Sequence, residues 1–136
     1  MDCAKNRSGH LNRVILNAIF PGEPQAYKRV ERRGPRSFVP KVMKVAQKNL
    51  RRGLEQIAPN LKPSNRYFGV QQVFYIAPCA PTAVPDGDNL EKLLWDAMNG
   101  KIWLDDSQII EWSGRKVLGS LEPRTHLIVY LIEGET

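Results

Sequence analysis

Apolar positions recur along the chain at two spacings, and the change from one to the other marks out its elements. Residues 11–20 are apolar at Val14, Ile15, Leu16 and Ile19 and stop at Pro21-Gly22, which predicts a strand. Residues 37–39 predict a short extended piece, and Pro40 stands where a first helical turn tolerates proline. Over 41–57 the period lengthens. Met43, Ala46, Leu50, Leu54 and Ile57 form one stripe, which predicts a helix. Pro59 and Pro63 mark a linker, and 66–77, rich in Tyr, Phe, Val and Ile, predicts a strand. Residues 78–85 carry three prolines and predict a stiff extended loop. A second helix over 88–98 buries Leu90, Leu93, Leu94 and Ala97 and stops at Asn99-Gly100. Asp88 suits its N-cap, with Glu91 completing a capping-box pattern. Residues 101–104 predict a short extended run, and 108–118 a strand with a bend at Gly114. Residues 124–132 predict a strand apolar on both faces, and therefore central in its sheet.

These elements describe an α+β domain: two main helices packed on a mixed or mostly antiparallel sheet. The 136 residues fit one domain, 11–136, preceded by a polar stretch, 1–10, read as a disordered tail. That stretch lacks the apolar segment of a signal peptide, and no run is long enough to span a membrane. Cys3 and Cys79 share no metal-ligand spacing, and His10 and His126 are isolated. A reduced, cytoplasmic setting without disulfides is the expectation, with no membrane partner and no small-molecule cofactor.

Charge changes this picture through its distribution. The net charge is +6, yet residues 1–85 carry 15 Lys/Arg against 4 Asp/Glu, and residues 86–136 carry 5 against 10. Such an asymmetry suits a chain that grips a polyanion with one part and holds a cation with another. Lys28, Arg29, Arg32, Arg33 and Arg36 crowd a loop or loose hairpin that also holds Tyr27 and Gly34-Pro35. Phosphate contact is their functional reading, with Tyr27 available to pack on a sugar or base; a solvated loop is the plain one. Lys41, Lys44, Lys48, Arg51 and Arg52 lie off the apolar stripe of the first helix. They either extend that surface or simply solvate it.

Two acidic groups bracket the second helix: Asp86 and Asp88 in a Pro/Gly turn before it, and Asp105-Asp106 after it. Carboxylates held close together are unfavourable without a counter-ion, so their convergence points to a cation. Three or four aspartates without Cys or His suit Mg²⁺ and not structural zinc. Bound Mg²⁺ would neutralise charge on a phosphodiester and activate water. Each residue also has an ordinary role open to it: Asp88 as N-cap, Asp86 as a turn residue, and Asp105-Asp106 as a strand-end turn. Lys92, one turn after Asp88, would contact the scissile phosphate or the leaving oxygen, or else pair with Asp88 or Asp96.

The motif Asp86-Gly87-Asp88-Asn89-Leu90-Glu91-Lys92, followed by Leu104-Asp105-Asp106-Ser107-Gln108, resembles the signature of the RusA family of Holliday-junction resolvases. That family shows Asp-x-Asp-Asn-x-x-Lys and then an apolar residue with Asp-Asp-x-Gln. Its opening strand, basic Pro-containing loop and aromatic-x-Pro entry to a helix are similar to residues 21–33 and Phe38-Val39-Pro40. The likeness covers roughly 14–132 and is specific over 85–108. The resemblance implies a small α+β homodimer that binds four-way DNA junctions in the bacterial or phage-infected cytoplasm. It also implies paired, symmetric, Mg²⁺-dependent nicks, with Mn²⁺ as a substitute ion. Carried over by position, Asp86, Asp88 and Asp106 match metal-binding carboxylates and Lys92 the catalytic lysine, with Asp105 a second-choice ligand. Two other readings stand beside it: a non-catalytic nucleic-acid binding module, and a nuclease of the same chemistry acting on flaps, forks or RNA.

Overall fold

In a computed structural model of the chain, residues 3–5, 11–27, 31–33, 36–38 and 41–133 are described. Strand β1 (Cys3–Lys5) precedes β2 (Leu11–Pro21), and a short hairpin follows from β3 (Glu31–Arg33) and β4 (Arg36–Phe38). Helix α1 (Lys41–Ile57) leads to β5 (Phe68–Ile76). Helix α2 (Gly87–Met98) then leads to β6 (Ile109–Leu118) and β7 (Arg124–Leu131). The five-stranded sheet runs β1-β2-β7-β5-β6. All its neighbours are antiparallel except β5 and β6, which are parallel. The fold is therefore α+β on a mixed sheet.

The parallel pair fixes where the chemistry sits. Parallel strands need a long crossover, and α2 supplies it between β5 and β6. Its apolar face, Leu90, Leu93, Leu94, Ala97 and Met98, is buried on the sheet with Phe68, Val70, Leu127 and Val129. Strand β7 is central, as its two-faced apolar pattern requires. Leu127 and Val129 enter the core beneath the helices, while Tyr130 and Ile132 are also buried. Helix α1 covers the rest of that layer through Met43 and Leu54, while Ile57, at the end of the expected stripe, is exposed.

Several expectations change. Cys3–Lys5, placed in a disordered tail by composition, pairs antiparallel with Leu11–Arg13 as an edge strand. The proline loop contains a 3-10 turn, Pro81–Ala83. Residues 101–104 form a tight turn instead of an extended run. Its anchor is Trp103, fully buried, edge-on to Phe68 at 5.8 Å and donating from Nε1 to Asn99 Oδ1 at 2.8 Å. Strand β6 does not break at Gly114. Its register with β5 runs through that residue, and the one irregularity lies between Phe68 and Gly69. A Cβ at Gly114 would stand 3.1 Å from Gln72 Nε2, so the glycine makes room for a buried side chain.

Candidate active site

Helix α2 starts one aspartate earlier than its pattern suggests. Asp86 is the N-cap: its Oδ1 accepts from the Asp88 amide at 3.1 Å, and its carbonyl accepts from Leu90 N. Gly87 and Asp88 are already helical, so Asp88 does not cap. The expected box between Asp88 and Glu91 is absent because Glu91 is engaged elsewhere. Gln72, 2% exposed on β5, donates from Nε2 to Glu91 and accepts from Trp95 Nε1 at 2.9 Å. A buried amide satisfied on both sides thus ties the sheet to two turns of α2. Burial raises the Glu91 carboxyl above the ordinary carboxylate range; the Gln72 hydrogen bond opposes this and the Asp88 charge adds to it.

With its carboxylate released from capping, Asp88 borders a cleft of about 290 Å³. The other walls include Glu91, Trp112, Gly114, Arg115 and Lys116. Trp112 is half exposed and edge-on to Trp95 at 5.7 Å. Lys116 Nζ donates to Pro85 O at 3.1 Å and so fastens the turn that carries Asp86. Arg115, Lys116 and Trp112 escaped the sequence reading because they lie in a separate strand; only the parallel register brings them beside Asp88. A larger apolar cavity, about 490 Å³, lies between α1, the end of β2 and α2, and neither the motif's aspartates nor Lys92 line it.

The second acidic group is built around Gln108. Its Oε1 accepts from the amides of Leu104 and Asp105 at 2.8 and 2.9 Å. Its Nε2 donates to the carbonyls of Ser64 and Arg66 at 2.9 and 2.8 Å. The glutamine of the motif is thus a clamp between the acidic turn and the segment before β5. Asp105 caps the 3-10 turn Asp106–Gln108, its side chain accepting from Ser107 N at 3.2 Å. Hydrogen bonding from the Ser107 side chain, and next from that amide, lowers the Asp105 carboxyl below its ordinary range. Asp106, the first residue of that turn, stands near enough to Asp96 on α2 to act on its carboxyl. Burial raises the Asp96 carboxyl, the Asp106 charge raises it further, and Lys92 partly offsets both.

Asp88, Lys92 and Asp96 are spaced four apart on α2, a stripe of alternating charge about 12 Å long. Asp86 and Asp88 stand at one end of it. Asp106 meets the other end through Asp96, a residue sequence reasoning had cast only as a salt-bridge partner. The two acidic groups share a helix but are not brought together. Among the described residues no three Asp, Glu, His or Cys side chains converge to hold a metal ion. The donors nevertheless fit Mg²⁺ in type, and such sites commonly use one or two carboxylates plus water and substrate phosphate. The Asp96–Asp106 pair meets that minimum.

The basic residues divide three ways. Lys28 and Arg29 lie outside the described residues, and Arg32, Arg33 and Arg36 are placed only as backbone, in the β3–β4 hairpin. Lys41, Lys44 and Lys48 are exposed on α1. Arg51 is taken from the expected surface: its Nε donates to Ala97 O at 3.0 Å, satisfying a carbonyl in the last turn of α2. Among the described residues no helix is long and apolar enough to cross a membrane.

Residues 21–130 match the sequence family described as Endodeoxyribonuclease RusA. No curated protein matches the chain significantly.

Proposed function

The chain belongs to the RusA endodeoxyribonuclease family, and from that premise we propose that it is a Mg²⁺-dependent Holliday-junction resolvase. On this reading it acts as a cytoplasmic homodimer and nicks two strands of a four-way junction symmetrically, in recombination, repair or phage DNA processing. The observation that carries the proposal is the stripe on α2. Asp86, Asp88 and Lys92 follow the start of one helix, and Asp106 stands beside Asp96 towards its other end.

Asp86 and Asp88 at one end of the stripe, and Asp106 with Asp105 and Asp96 at the other, would supply the carboxylates for Mg²⁺, or Mn²⁺ in its place. The ion would supply charge neutralisation at the phosphate and an activated water. Lys92, one turn from each acidic group, offers an ammonium to the scissile phosphate or the leaving oxygen. Arg115 and Lys116 line the cleft beside Asp88 and suit the flanking backbone phosphates. Lys41, Lys44 and Lys48, with Lys28, Arg29, Arg32, Arg33 and Arg36, extend the basic surface for the junction arms.

A labelled four-way junction and a matched linear duplex, each incubated with Mg²⁺ and with EDTA, test the proposal. Paired symmetric nicks in the junction alone, and only with Mg²⁺, are expected. Tight binding without cutting in either Mg²⁺ or Mn²⁺ would favour a binding module instead. Equal cutting of flaps or forks would move the substrate away from junctions.

A further inference from the structure

Lys92 is exposed and long, and a lysine side chain free in solvent samples many rotamers. Here it is held. The Tyr27 amide donates to the Asn89 carbonyl at 2.7 Å, which fixes the chain after β2 against the first turn of α2. The Tyr27 ring then lies under Lys92, with Nζ 4.5 Å from the ring centroid. That is within the range where a ring face attracts an ammonium. Asp96, one turn further along α2, attracts the same ammonium.

We propose that Tyr27 is the positioning residue for Lys92: its ring face fixes the ammonium on the exposed stripe of α2, between the two acidic groups. The inference rests on the reading of Lys92 as the group that meets the scissile phosphate. It also changes the role of Tyr27. The sequence offered its ring as a platform for a sugar or base, but Lys92 covers that face. The contact is replaceable in kind by any aromatic ring and not by an aliphatic side chain of similar size. A cation–ring contact of this sort biases a side chain towards one position by about two- to thirtyfold.

The test uses Tyr27→Leu and Tyr27→Phe in the full chain, with three readouts. The methylene beside Lys92 Nζ, observed by NMR without DNA, should show an upfield ring-current shift in the parent and in Tyr27→Phe, and lose it in Tyr27→Leu. The single-turnover rate on a labelled four-way junction in Mg²⁺ should fall about three- to tenfold in Tyr27→Leu. Junction affinity in EDTA should stay within about twofold, and Tyr27→Phe should recover the rate. In a Lys92→Met background, Tyr27→Leu should add no further loss, because its effect passes through Lys92. A parent protein that cuts and a Tyr27→Leu variant that cuts equally fast would overturn the role of Tyr27 alone. Weaker junction binding at an unchanged rate would do the same, by making Tyr27 a DNA contact. A parent protein that cuts no DNA would remove the reading of the site itself, and this inference with it.

Discussion

Asp86 holds two assignments that one pair of substitutions separates. As the N-cap of α2 its Oδ1 accepts from the Asp88 amide at 3.1 Å. As a proposed metal ligand it must carry a negative charge. Asparagine keeps the acceptor and drops the charge; alanine drops both. Losing the cap costs about 1 kcal/mol, within a range of roughly 0.5–2. For a chain of this length that is a melting-point shift of roughly 3–5 °C. Losing only the charge removes a helix-dipole interaction of about 0.3–1 kcal/mol at an exposed site. Part of that returns through relief of repulsion from Asp88 and Glu91, so Asp86→Asn should melt within about 2 °C of the parent. Cutting should respond in the opposite way, falling at least about 100-fold in both variants, because a metal ion's contribution is several kcal/mol.

The assay is a thermal melt in EDTA beside a timed cleavage of a four-way junction in Mg²⁺. Two results that travel together would refute the reasoning. If Asp86→Asn cuts at the parental rate while Asp86→Ala loses both stability and cutting, the carboxylate is a cap and nothing more. Junction binding in EDTA guards the comparison, since both variants should bind at least as well as the parent.

Other parts of the molecule make equally definite demands. Gln108→Ala removes four hydrogen bonds, so urea denaturation should show a loss of about 2–4 kcal/mol; a loss below about 1 kcal/mol would mean that Trp103 alone holds the acidic turn. A Cβ at Gly69 would stand 2.1 Å from the buried Tyr130 ring. Gly69→Ala should therefore cost about 1–3 kcal/mol in the same assay, and a neutral variant would show that the ring swings aside. The raised Glu91 carboxyl means that the folded chain binds its proton more tightly than the unfolded one, so stability falls as pH rises from the ordinary glutamate value of 4.5 through the higher folded value. Glu91→Gln, whose amide oxygen still accepts from Gln72, should match the parent below that window and melt higher above it. A difference that does not change with pH would exclude the burial penalty.

Local pattern was enough for the two helices and the longer strands. The stripe ending at Ile57 and the proline at position 40 bounded α1, and the apolar doubling of 124–132 put β7 in the middle of the sheet. Pairing was not legible. Nothing in β5 or β6 says that they run parallel, and without that register the Asp88 cleft has no far wall. The cap of α2 was ambiguous for a related reason. Both aspartates of Asp-Gly-Asp suit the position, and the choice falls where the backbone turns helical, which here takes in Gly87. Glu91 had a capping partner in the sequence and found a better one in Gln72, nineteen positions away. The pairing of Asp96 with Asp106 depends on the turn that Trp103 anchors, and the loss of Arg51 from the basic face depends on how α1 lies against α2. Chemistry was visible as residue types in order; its geometry came from contacts between elements far apart in sequence.

The opposed charge of the two halves of the chain then acquires a physical meaning. A carboxylate about 6 Å from a phosphate at a wet surface repels it by about 0.7 kcal/mol, reduced by roughly half at physiological salt. Four aspartates along the α2 stripe therefore oppose DNA by an amount comparable to what a few surface lysines return. Lys92 offsets one charge at the centre of the stripe, and the Tyr27 ring keeps it there. On the proposed reading Arg115 and Lys116, which line the cleft, would draw phosphates to its edge and not onto the acids. On the proposed reading the remaining repulsion is what links metal to substrate. A phosphate gains most from the stripe when a divalent ion occupies it, and the ion gains a ligand from the phosphate. On the same reading the basic hairpin and α1 would supply affinity that does not depend on the ion. Those surfaces alone would bind DNA indiscriminately, whereas the acidic stripe would make close approach conditional on the proposed cation.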